Sequence, residues 1–185
     1  PSMRYRGDGV SKLEYGCFLT AALAYFSSSQ RDRVGLATFD GGIVDYVPPS
    51  ARHLRQVLYA LDRANRAGQV RGPGEVGALD GVGGSDAVNR PAARTSLLGP
   101  LQKLAESVRR RSIVLLISDM YEDPEQVFDA VDHLRGRGND LITFHLLDKD
   151  EIDFPFTDAS NFIDVETGEK LPLVPDFLRT EYRRL

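Results

Sequence analysis

Apolar positions along the chain switch repeatedly between the 3.6-residue spacing of helices and short unbroken runs. Ser11-Lys12-Leu13-Glu14 has the S-x-x-E form of a capping box, in which hydroxyl and carboxylate satisfy orphan amides at a helix start. Leu13, Cys17, Phe18, Ala21, Ala22, Tyr25 and Phe26 then recur at helical spacing and predict a helix over 11–29 with one apolar stripe. Residues 33–39 and 43–47, separated by Asp40-Gly41-Gly42, predict a two-stranded hairpin. Pro48-Pro49 should end its second strand, because proline cannot donate to a ladder. Ser50 is placed to cap a second helix whose face carries Leu54, Val57, Leu58 and Leu61.

From Thr95 the helical period returns, with Leu97, Leu98, Leu101, Leu104 and Val108 on one face and Arg109-Arg110-Arg111 at the end. Residues 112–118 form a continuous apolar run, which predicts a strand buried on both faces, as in the middle of a parallel sheet. Asp123-Pro124-Glu125 supplies the cap, first-position proline and first-turn acid of another helix. Val127, Phe128, Val131 and Leu134 form its stripe, and Gly136 and Gly138 close it. Residues 140–147 predict a second buried strand, 161–165 a shorter one and 175–185 a final amphipathic helix. Strands alternating with helices imply an α/β sandwich with a mostly parallel sheet and one antiparallel hairpin at its edge. No internal repeat is present.

Residues 68–94 differ in kind. They hold seven of the 17 glycines, two prolines and no aromatic residue, so they predict a long flexible loop within one domain spanning 1–185. With 185 residues, 42% of them hydrophobic, such a domain can bury a core without a disulfide or metal. A net charge of −4 argues against a nucleic-acid surface. The single cysteine can build neither an internal disulfide nor a thiolate cage, which suits a reducing, cytoplasmic setting. No apolar run approaches the roughly 18 residues of a membrane span, and no signal-peptide core appears. The chain opens Pro1-Ser2-Met3 with no initiator methionine, so a fragment of a longer protein is expected.

In open α/β sheets ligands bind outside the carboxyl ends of the strands. The most apolar strand delivers Ser118-Asp119 there, and Asp119 either caps a turn before Met120-Tyr121 or faces a ligand. Ser2 precedes the first helix and Thr95 starts the helix after the long loop. Hydroxyls plus one carboxylate would make an all-oxygen site suited to Mg²⁺ or Mn²⁺, although a hydroxyl before a helix also serves as an N-cap.

Ser2-Met3-Arg4-Tyr5, Lys12-Leu13-Glu14-Tyr15, Ala22-Leu23-Ala24-Tyr25, Arg31-Asp32-Arg33-Val34-Gly35-Leu36 and Pro48-Pro49 together resemble one bacterial family. Arg110-Arg111, Ile117-Ser118-Asp119 and Asp164-Val165-Glu166-Thr167-Gly168 continue the likeness. The chain resembles the domain of unknown function 58 (DUF58) family, a branch of the von Willebrand factor A (VWA-like) fold, a Rossmann-like three-layer sandwich. That resemblance implies a metal-ion-dependent adhesion site of pattern Asp-x-Ser-x-Ser with a distant Thr and a distant Asp. By position Ser2 matches the last serine, Thr95 the threonine and Asp119 the distal aspartate. The first Asp and first Ser would lie before Pro1, as would the first, central strand. The structure is therefore expected to show a gap at the centre of the sheet or another segment filling it.

The resemblance also implies binding rather than turnover. A Mg²⁺ or Mn²⁺ ion with an open coordination position would take a carboxylate from a protein ligand, and a MoxR-type AAA+ ATPase would be the partner in chaperoning or maturing other proteins. The competing expectation is a Mg²⁺-dependent phosphohydrolase using Asp119, which requires a second acid two residues away on the same strand end. Residues 117 and 121 are Ile and Tyr.

Other signals point to structure. Gly72-Pro73-Gly74-Glu75-Val76-Gly77 fits G-x-G-x-x-G but follows a helix and leads into more glycine, the opposite of a dinucleotide-binding context. No Walker A motif and no G-x-S-x-G elbow occurs. His53, His133 and His145 are scattered, and Cys17 sits on an apolar stripe as a small core residue. Arg109-Arg110-Arg111 suits a helix C-terminus. Asp148, Asp150, Glu151 and Asp153, with Asp158 soon after, form either a solvated loop or a second cation site.

Overall fold

The predicted amphipathic runs settle into two hydrophobic clusters among the described residues, one centred on α1, α2 and β2 and the other on α3, α4 and β3. The computed structural model describes residues 2–7, 9–40, 42–70, 98–108, 111–121, 124–157, 160–163 and 170–173. After a 3-10 turn at Ser2–Arg4 come α1 (Lys12–Ser29), β1 (Val34–Phe39), β2 (Ile43–Ser50) and α2 (Leu54–Val70). Then follow α3 (Leu98–Ser107), β3 (Ile113–Ser118), α4 (Pro124–Gly136), β4 (Asp140–His145), α5 (Lys149–Asp153), β5 (Ser160–Ile163) and β6 (Lys170–Leu173). The predicted loop beyond Val70, including 72–77, lies outside the described residues, as do Thr95, Leu97, Arg109, Arg110, Asp123, Asp158, residues 164–165 and the predicted helix over 175–185.

The first cluster joins α1, α2 and the hairpin through Cys17, Val47, Val57, Ala60 and Leu61. Ser11 Oγ accepts the Glu14 N–H at 3.2 Å, which is the Ser11 half of the expected capping box. Cys17 is buried, and burial, helped by the charge of Glu14, pushes its thiol pKa up, as a core cysteine requires. Phe18, Tyr25 and Phe26 do not join this core, contrary to the single-stripe expectation, and all three are exposed. The apolar residues of α1 are spread around the whole helix, and the face carrying Leu13, Cys17, Ala21 and Ala24 is the one that meets α2 and the hairpin.

β1 and β2 pair antiparallel, with Leu36 opposite Val47 and Val34 opposite Ser50. The prolines therefore do not end β2. The register slips between Val34 and Leu36, where Pro48 and Pro49 sit opposite, so their missing N–H groups interrupt an already irregular stretch of an edge strand. Ser50 turns the chain instead of capping α2: its Oγ accepts the Arg52 N–H at 3.2 Å, and the His53 carbonyl accepts the first helical bond from the Val57 N–H at 2.9 Å.

The second cluster packs Leu101 and Ala105 of α3 and Ala130 and Leu134 of α4 onto Val114 and Leu116 of β3. β3 and β4 pair parallel and in step, from Ile113 opposite Asp140 to Ser118 opposite His145, with α4 as the crossover. β3 is buried on one face only, which corrects the two-sided expectation. Ile113 is 68% exposed and Leu115 is also exposed. The far face of β3 meets α1 near Gly16, where an added Cβ would stand 3.3 Å from Leu146 Cδ1 and 3.5 Å from Ile117 Cγ2. β4 is likewise half open, with Ile142 exposed. β5 and β6 form a third, antiparallel pair, of which the sequence pattern predicts only the first strand.

The architecture is thus mixed α/β, with three two-stranded ladders in place of one mostly parallel sheet among the described residues. β1 and β3 are not paired with each other, and both line one cavity of about 1360 Å³. The described residues form no single sheet in which a central gap or a filling segment could be placed.

Candidate functional site

β3 carries Asp119 out of the ladder at its carboxyl end, and the chain turns sharply there. Met120 adopts φ +51°, in the left-handed region, and its N–H donates to Ser118 Oγ at 3.2 Å. This turn tucks the Asp119 carboxylate inward, leaving the residue 8% exposed. His145, at the end of the neighbouring strand, donates from Nε2 to the Asp119 carbonyl at 3.0 Å and so pins the turn from the side.

The carboxylate is met by Lys12. Its Nζ donates to Asp119 Oδ2 at 3.1 Å and to Glu151 Oε1 at 2.7 Å, and the residue is 5% exposed. Lysine is rarely buried, and a cation in the first turn of a helix faces the positive end of the helix dipole. Two carboxylates offset both penalties. Glu151 is itself fixed by a capping box at the start of α5: the Asp148 N–H donates to Glu151 Oε2 at 2.7 Å, and the Asp148 side chain accepts the Asp150 N–H at 3.0 Å.

The N-terminal segment is laced to the same turn. The Lys12 N–H donates to the Tyr5 carbonyl at 3.2 Å, the Gly7 N–H to Asp148 Oδ2 at 3.1 Å and the Tyr5 hydroxyl to Asp150 Oδ2 at 3.1 Å. Gly7 must be glycine for this approach, since a Cβ there would stand 2.6 Å from Asp148 Oδ1. Burial, the Asp150 hydrogen bond and the surrounding carboxylate charge push the Tyr5 hydroxyl pKa up to about 12. The acidic stretch at 148–153 is therefore neither a loose solvated loop nor a free cluster of carboxylates. It is a capped helical turn whose acids bind the N-terminal segment and Lys12.

Of the residues expected to hold a divalent ion, Ser2 and Asp119 border the same cavity, and Thr95 lies outside the described residues. The pair that is described does not by itself fit a Mg²⁺ or Mn²⁺ ion. It offers one carboxylate, and the Lys12 ammonium is bound to it. Among the described residues no group of three or more His, Cys, Asp or Glu side chains is arranged to hold a metal. No helix among them is long and apolar enough to cross a membrane. Two residues to either side of Asp119 stand Ile117 and Tyr121, and Tyr121 borders the cavity while 66% exposed.

Sequence reasoning gave Lys12 and Tyr5 no role at the site, and it read Glu151 only as part of an acidic stretch, not as a partner of Lys12. Two signals could have found them. Lys12 occupies the first position of a helix, where a cation is disfavoured unless something nearby demands it. Asp148-x-x-Glu151 has the spacing of a capping box as well as the look of an acidic run.

The family described as Protein of unknown function DUF58 matches residues 1–185. No curated protein and no solved structure matches the chain.

Proposed function

The chain belongs to the family of proteins of unknown function DUF58, and we propose that it is a protein-binding module whose contact face is the carboxyl end of β3 and β4. The observation that carries this is the arrangement around Asp119. A buried, charge-paired turn stands beside a large open cavity, at the end of the strands where α/β sheets place their ligands. Asp119 is bound to an ammonium rather than poised as a nucleophile, so the turn favours recognition over turnover. The partner class is the MoxR-type AAA+ ATPase that the resemblance implies, in chaperoning or maturation of other proteins in the cytoplasm.

In fold terms, β1–β2 and β3–β4 are two halves of one VWA-like sandwich with one further strand between them. Its support is the pair of strand edges, β1 and β3, that face the same cavity without a ladder partner among the described residues.

The test is binding of a MoxR-type ATPase to the protein and to Tyr121→Ala, which alters an exposed aromatic side chain beside Asp119 without touching the core. The proposal expects saturable binding that Tyr121→Ala weakens about tenfold or more with an unchanged melting temperature. No binding, together with Mg²⁺-dependent hydrolysis of a phosphate monoester that Asp119→Asn abolishes, would establish the hydrolase instead.

A further inference from the structure

We propose that the Lys12 ammonium is the resident cation of Asp119, standing where a hard-cation site would place a divalent ion. The donor set leads to this directly. Asp119 gives one carboxylate, Lys12 Nζ lies 3.1 Å from its Oδ2, and the same nitrogen lies 2.7 Å from Glu151 Oε1. Both Lys12 and Asp119 are more than nine-tenths buried, so the contact is screened little by water or salt. A divalent ion on the same carboxylate would sit against a fixed positive charge, and like charges at contact in a buried site repel strongly. Such an ion must either take Oδ1 beside the ammonium, against that repulsion, or displace Lys12 from Oδ2, which would strand Glu151 as well as the ammonium.

The ammonium also does what a structural ion would do. It ties together three segments distant in sequence: the start of α1, the end of β3 and the first turn of α5. The N-terminal segment joins the same assembly through Tyr5 and Gly7. Because the tie is covalently part of the chain, the carboxyl-end turn stays assembled in the presence of chelator. Lys12 is thus a positioning residue for Asp119. This inference goes beyond the partner proposal and stands apart from it, since the outcome below is the same whether or not an ATPase binds.

The experiment is a Mn²⁺ titration followed by electron paramagnetic resonance, with melting curves in Mg²⁺ and in chelator, on the protein, Lys12→Met, Asp119→Asn and Lys12→Met/Asp119→Asn. The expected result is no Mn²⁺ site in the wild-type protein below millimolar concentrations and one melting temperature in Mg²⁺ and in chelator. Lys12→Met should melt roughly 10 °C lower and gain Mn²⁺ affinity by about tenfold or more, a gain that adding Asp119→Asn removes. A purely structural lysine would show the first effect without the second, and that outcome overturns the proposal. A micromolar Mn²⁺ site in the wild-type protein that Asp119→Asn abolishes overturns it too. Should Lys12→Met not fold, the wild-type and Asp119→Asn titrations decide alone.

Discussion

Lys12 Nζ, at the first position of α1, lies 3.1 Å from Asp119 Oδ2 at the end of β3, and both side chains are almost wholly removed from water. Breaking one side of such a pair leaves a buried uncompensated charge, which costs about 3–5 kcal/mol. Lys12→Met, which strands both carboxylates, should destabilise by about that much in urea unfolding, and Asp119→Leu, which leaves Lys12 paired with Glu151, by less. The double variant, with Glu151 as the one carboxylate of the trio left behind, should be less destabilised than the sum by about 1–3 kcal/mol. Strictly additive losses would mean that the two groups do not interact.

Gly7 and Gly42 make an internal comparison. A Cβ at Gly7 would collide with the Asp148 carboxylate, whereas one at Gly42 meets nothing within 4 Å. Asp148 cannot swing aside freely because it also caps α5. Gly7→Ala should therefore lower stability by about 1–3 kcal/mol, while Gly42→Ala stays within about 0.5 kcal/mol of the wild type. Equal effects at the two sites would remove the close approach of the N-terminal segment to α5.

The Tyr5 hydroxyl holds its proton more tightly in the folded chain, with its pKa raised from 10.0 to about 12. A raised folded-state pKa means that this contribution to stability is fully present below pH 10 and is lost as pH climbs from 10.0 toward about 12. An absorbance titration of tyrosinate should show a late step, and Tyr5→Phe should delete it. If Tyr5→Phe leaves the late step in place, or no late step exists, the hydrogen bond to Asp150 is not formed in solution.

Helices α1 to α4 and the β1–β2 and β3–β4 strands were legible in the sequence because their period and caps are local properties. Ser11, Pro124 and Gly138 each mark a helix boundary by chemistry that acts within one turn. Burial was less legible. The run from Ile113 to Ser118 is apolar throughout, yet Ile113 and Leu115 are exposed, because burial depends on which layer covers a face and not on the strand's own composition. At the site, position 119 was legible from strand-end topology alone. Its partner was not, since Lys12 is 107 residues away and a lone lysine carries no spacing signature. The acids of α5 were visible as a charge run, but their hydrogen bonding to Gly7 and Tyr5 is a tertiary fact.

The open edges of β1 and β3 give a further expectation. Amides of Val34–Phe39 and Ile113–Ser118 that point into the cavity lack ladder partners among the described residues, so they should exchange with deuterium far faster than those paired to β2 and β4. Uniform slow exchange across both strands would show that something closes the cavity in solution.

The most direct measurement is a crystal structure of the protein grown in excess Mn²⁺, with anomalous data collected near the manganese absorption edge. The account predicts Lys12 Nζ in contact with Asp119 and Glu151, and no anomalous peak on the Asp119 carboxylate. A manganese peak there, with the Lys12 side chain displaced from Asp119, would contradict it.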